Sequence, residues 1–102
     1  MNDHLLIKAG FKNRILSKTR SHYPLATGIS EEEFGCDIFA EPLVNLELDD
    51  PKRKAAYINA ELLKQSISEL KKAGFITSSK TAVTLWSIQF TDFGYIQTGY
   101  MG

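Results

Sequence analysis

Cys36 is the only cysteine in the chain, so no internal disulfide can form. No apolar run approaches the roughly 20 residues needed to cross a bilayer. Met1-Asn2-Asp3-His4 does not open a basic-then-apolar leader, and a cytoplasmic setting is expected. Net charge is absent too: 12 Lys and Arg balance 12 Asp and Glu. A neutral total argues against tight non-specific binding to nucleic acid, which rests on phosphate neutralisation. No GxSxG, HExxH, CxxC or phosphate-loop pattern occurs. His4 and His22 lack a second ligand at helical spacing, and the acidic residues lack calcium-loop spacing around a glycine. No metal, cofactor or catalytic role is therefore expected. Cys36 lies among apolar residues and reads as a buried, inert thiol.

The charges that do occur are segregated. Residues 1–29 carry Lys8, Lys12, Arg14, Lys18 and Arg20 against Asp3. Residues 30–50 carry eight acids and no base, and from Pro51 onward seven Lys and Arg face Glu61, Glu69 and Asp92. A local basic face thus remains compatible with a neutral whole.

The length, 102 residues, suits one domain with one core. Residues 4–20 read as a helix: Ile7, Phe11 and Ile15 recur every four residues, with Leu16 beside them and Leu5 a turn earlier. Pro24 and Gly28 mark a loop. Ser30 to Glu33 fits a capping box that would open a short helix from Glu31 to about Ala40, before Pro42. Alternation after Val44 suggests a short strand to Leu48.

Asp50-Pro51 is a further helix start. One reading runs a single helix to Ala73, with Ala56, Ala60, Leu63, Ile67 and Leu70 as its seam and Ile58 opposite, in water. The other breaks the helix near Ile58-Asn59. Asn59 then caps the second helix, and Ile58 staples onto Leu63. The break satisfies both residues and is preferred, giving helices Pro51–Tyr57 and Ala60–Ala73. Gly74 is the expected left-handed C-cap. Phe75 to Ser78 reads as a strand and Ser79-Lys80-Thr81 as a turn. Ala82 to Phe90 reads as a second strand, with Trp86, Ile88 and Phe90 on one face. Thr91 can cap a brief last helix on which Phe93, Ile96 and Tyr100 align.

Helix, strand, turn and strand in that order make the core of a winged helix, an α+β fold with an N-terminal helix and a C-terminal β-hairpin wing. The expectation is one such domain over 1–102, with its core at 51–98. Ser66-Ile67-Ser68-Glu69-Leu70-Lys71-Lys72-Ala73-Gly74-Phe75-Ile76, followed by Ile88-Gln89-Phe90-Thr91-Asp92-Phe93-Gly94, resembles the winged helix–turn–helix proteins. MarR-like and PadR-like regulators look like this, as does the small YjcQ-like family of bacterial and prophage proteins. The likeness spans roughly residues 55–98. It implies a small, dimeric, DNA-binding transcriptional regulator of bacterial or phage origin.

On the second helix, at about 100° per residue, Leu63, Ile67 and Leu70 point inward, while Gln65, Ser68 and Lys72 point away, with Lys64 and Lys71 on a flank. Gln65 and Ser68 are types that reach base edges, and the lysines suit phosphates. Lys52, Arg53 and Lys54 crowd a helix start, where the dipole disfavours cations, which points to phosphate contact. Lys80 is the single cation of the wing. An alternative partner is a basic protein that docks on Glu31, Glu32, Glu33 and Asp37, in the manner of an immunity, antitoxin or anti-host protein.

Overall fold

The computed structural model describes residues 3–34, 47, 49–82 and 85–99. Helix α1 spans Asp3–His22, strand β1 Thr27–Ser30 and a 3-10 turn Glu31–Phe34. Helix α2 spans Pro51–Lys72, strands β2 and β3 span Ile76–Ala82 and Leu85–Phe90, and helix α3 spans Asp92–Gly99. The architecture is α+β: among the described residues, three helices and one antiparallel sheet of order β1-β3-β2. Cys36, Asp37, the expected strand 44–48 apart from Glu47, most of the helix expected up to Ala40, and Tyr100 lie outside the described residues.

Helix α1 forms as its periodicity predicts, slightly longer at each end. Phe11 and Ile15 are buried, and Ile7 and Leu16 pack against them. Leu5 departs from that stripe and is 58% exposed. Thr19, deep in the interface, is tolerated there because its hydroxyl donates to the Ile15 carbonyl at 2.6 Å.

Strand β1 corrects the expected loop around Gly28. It is only four residues long and holds one large apolar side chain, Ile29, so no alternation announces it. Its order comes from pairing with β3, Thr27 opposite Ile88 and Ile29 opposite Trp86. Because directly opposed residues share a face, the register sets Thr27, Ile29, Ile76, Ser78, Trp86, Ile88 and Phe90 toward the helices. Gly28, Thr77, Ser79, Ser87 and Gln89 take the other face.

Helix α2 is a second correction. It runs unbroken for 22 residues, so no turn separates residues 57 and 60. The Asp50 side chain accepts the Lys52 N–H at 2.9 Å, and Pro51 fills the first position. At the other end the Phe75 N–H reaches the Leu70 carbonyl at 3.1 Å and the Gly74 N–H the Lys71 carbonyl at 3.0 Å, with Gly74 at φ +82°. That paired closure is the Schellman pattern, and Gly74 sits where the left-handed residue is needed. With both ends capped, the interior of α2 has no reason to stop. Ala56, Leu62, Leu63, Ser66, Ile67 and Leu70 are buried, and the Ser66 hydroxyl donates to the Leu62 carbonyl. The expected staple of Ile58 on Leu63 is absent, and Ile58 is 45% exposed.

The hairpin is longer than expected. Residues 79–81, expected as its turn, are strand, and β2 continues to Ala82 with a register shift between Lys80 and Ala82. The core joins Phe11, Ile15, Ile29 and Phe34 to Leu62, Leu63, Ile67, Leu70, Ile76, Ile88 and Phe90, so it draws on residues well before 51. Phe11 meets Phe34 edge to face, ring centres 5.2 Å apart.

Helix α3 is fastened by Thr91, as its sequence suggests. The Thr91 hydroxyl accepts the Gly94 N–H at 2.9 Å and donates to the Gly74 carbonyl at 2.6 Å. Tyr23 stacks on Tyr95 at 4.0 Å and hydrogen-bonds Asp92, and Arg20 lies 4.4 Å over the Tyr95 ring. Gly94 allows the close approach: a Cβ there would stand 2.0 Å from the Phe75 carbonyl oxygen. Gly94→Ala is therefore expected to destabilise the fold by about 1–3 kcal/mol, the usual range for overpacking, read as a lower midpoint in urea unfolding.

Candidate nucleic-acid interface

The side chains that α2 turns away from the core form the candidate surface. Lys64, Gln65, Ser68, Lys71 and Lys72 are all exposed, as their angles on the helix predict. Lys64, Gln65, Ser68 and Lys71 line one side of an open groove of about 370 Å³, with Glu61 at its end, Ile67 at its floor, and Ser78 and Trp86 across from them. The groove thus lies between the outer flank of α2 and the hairpin. It offers two ammonium groups, an amide and two hydroxyls on a partly apolar bed.

The cations differ in what already holds them. Lys64 stands 3.7 Å from Glu61 in an exposed i, i+3 pair worth only a few tenths of a kcal/mol. Lys71 and Lys72 make no ion pair among the described residues. They occupy the last turn of α2, where the helix dipole favours positive charge. Lys80 is more engaged than its place on the hairpin suggests. Its Nζ lies 5.0 Å over the Trp86 ring and 3.9 Å from the largely buried carboxylate of Glu31.

Lys52, Arg53 and Lys54 stand apart from this group. They occupy the first turn of α2, about 15 to 30 Å along the axis from Lys64 to Lys72 at 1.5 Å per residue. Lys52 and Lys54 are exposed, and the Arg53 guanidinium lies 6.0 Å from the Tyr57 ring centre. The structure therefore does not gather the expected cations into one cluster. It places Lys52 to Lys54 in the first turn of α2, Lys64 near its middle, Lys71 and Lys72 in its last turn, and Lys80 on β2.

The acidic residues expected to meet a protein partner divide as well. Glu31 is 9% exposed. Glu33 accepts from Lys18 at 2.6 Å and closes the capping box on the Ser30 N–H at 2.7 Å. The Lys18 ammonium, with the Ser30 N–H, holds the Glu33 carboxyl below its usual range. Glu32 is exposed. A capping box shaped to the chain's own backbone accounts for Glu33 without a partner.

Two features escaped the sequence. Tyr57 and Ile58 lie on the exposed side of α2, 41% and 45% accessible, because the helix does not break. The seam drawn for the unbroken reading was the signal for Ile58. Glu69 gave no such signal. It receives Lys8 at 2.8 Å and Lys12 at 2.5 Å from α1, so the cations of the first helix close on the second. Arg14 donates to the Glu33 carbonyl and Arg20 to the Tyr95 carbonyl. The basic residues of α1 are thus engaged within the molecule.

Comparison with known protein families, with curated proteins and with solved structures finds no match for this chain.

The Lys12 and Lys8 hydrogen bonds lower the Glu69 carboxyl from its ordinary 4.5 to about 2. A carboxyl with a depressed folded-state value stabilises fully above the unfolded value and loses that contribution as pH falls toward the folded one. The stability carried by this clamp is accordingly constant above about pH 4.5 and fades between there and about pH 2. Glu69→Gln should lower the thermal midpoint at pH 7 and flatten its acid dependence across that window, with the wild-type difference shrinking at high salt. An unchanged acid profile would refute the clamp.

Proposed function

We propose that the chain is a small winged-helix DNA-binding protein, a transcriptional regulator of the bacterial or phage kind, with α2 as the helix that enters the major groove. The observation that carries this reading is the fate of the charges. Lys8, Lys12 and Lys18 are spent on Glu69 and Glu33. What remains outward on α2 is Lys52, Lys54, Lys64, Lys71 and Lys72 against Glu61. A chain with no net charge thereby keeps one locally basic rod.

The order of elements supports the reading. Helix α2 leads directly into β2 and its hairpin with β3, the succession of helix, strand and strand on which the reading rests. On this reading the unbroken α2 takes the place of the two helices expected over residues 51–73. Gln65 and Ser68 supply groups for base edges, and Lys64, Lys71 and Lys72 for the backbone. Lys80 reaches phosphate by leaving Glu31.

A second reading, a protein-binding winged helix with no nucleic-acid role, is favoured by the neutral total and the exposed carboxylates of Glu32, Glu47 and Asp49. It predicts that the protein passes through heparin and duplex columns unretained.

Fluorescence anisotropy with a labelled random-sequence duplex, from low to moderate salt, separates the two. The DNA reading expects saturable binding and a log–log salt slope that becomes shallower by about 2 in Lys71→Ala with Lys72→Ala, near one counterion per lysine. Glu61→Gln is expected to tighten binding, because it removes an anion from this face and releases Lys64. Identical slopes in wild type and the double variant would dismiss this contact assignment, and absence of binding would dismiss the function.

A further inference from the structure

Once α2 is continuous, its outer line carries more than cations. At about 100° per residue, Lys54, Tyr57, Ile58, Glu61, Gln65, Ser68 and Lys72 fall within one half of the helix surface. Tyr57 and Ile58 are the large apolar members of that line, and Ile58 is 45% exposed and lies outside the core cluster. The other exposed large apolar side chains, among them Leu5, Leu6, Phe93 and Ile96, sit on other elements. Among the described residues, this pair stands on α2 between Lys54 before it and Lys64 after it.

Resting on the DNA reading above, we infer that Ile58 is a base-reading residue that takes the C5-methyl group of thymine, so that the preferred duplex is selected by a methyl contact beside the amide contact of Gln65. The chemistry fits the major groove. Thymine alone presents a methyl group there, and an apolar side chain is its complement, while glutamine pairs with the adenine edge. The spacing fits as well. Ile58 and Gln65 are seven residues apart, on nearly the same line of the helix. They are separated by about 10 Å along the axis, or about three base-pair steps. Lys54 and Lys64, one turn before and about two turns after Ile58, lie where phosphates flank such a site. Tyr57, with Arg53 beside its ring, borders the contact on one side.

The test alters the DNA rather than the protein. Wild-type protein is titrated against a random-core duplex pool, and against the same pool synthesised with deoxyuridine in place of thymidine. Loss of one contacted methyl is expected to weaken binding about fourfold, the cost of one buried carbon. Ile58→Ala, checked for fold by circular dichroism, is expected to bind both pools equally and to keep the wild-type salt slope. Equal wild-type affinity for the two pools overturns the inference and leaves the DNA reading intact. Failure to bind either pool overturns both. If Ile58→Ala instead dissociates a dimer by sedimentation while the preference for thymidine survives, the side chain belongs to self-association and the inference falls.

Discussion

Asp50 and Gly74 bracket α2, and the outward display of the molecule follows from those two stops. The aspartate satisfies a first-turn N–H and the glycine lets the chain reverse, so the 22 residues between them have no backbone cause to bend. Six buried side chains then fix the roll of the rod. Once the roll is set, the positions of Lys64, Gln65, Ser68 and Lys72 are no longer free to vary. A change at either cap would reach the outer face through rotation and fraying rather than through any direct contact.

The partition of charge is the second organising fact. The chain sums to zero, yet its cations are not equivalent. Those of α1 are bound to Glu69, to Glu33, or to carbonyls and ring faces, where they hold helices together. Lys52, Lys54, Lys71 and Lys72 of α2 are exposed, and Lys64 meets only the exposed Glu61. The same residue type thus serves packing in one helix and leaves the other open to an external anion. Exposed ion pairs of this sort contribute little singly. Two lysines sharing one carboxylate at short range still set which way α1 and α2 face each other.

Much of the frame was readable in advance. Helix α1, the Asp50-Pro51 start, the Gly74 stop, the paired strands after it and the Thr91 cap all have local chemical signals, and each forms. The misses share a cause. At Ile58-Asn59 a plausible cap and staple competed with simple continuation, and the buried seam of Ala56, Leu63, Ile67 and Leu70 won. Strand β1 has one large apolar residue in four and is created by its partner, which no local pattern reports. The hairpin runs on because Ser79, Lys80 and Thr81 lack a compelling turn pair, and cross-strand pairing with Ser87 and Trp86 extends the ladder. On the candidate site, the angle of each side chain on α2 was legible. The pairing of Lys8 and Lys12 with Glu69 was not, since it joins positions about sixty residues apart.

The sheet order leaves β2 on an outer margin. A strand in that position offers a row of amide groups on which a second molecule could add, the usual start of fibril growth. Here the margin is interrupted. A lysine sits within it, and the register shifts between Lys80 and Ala82, an irregularity of the kind that breaks up a flat edge. A charged side chain and a break in register are devices by which edge strands discourage such addition.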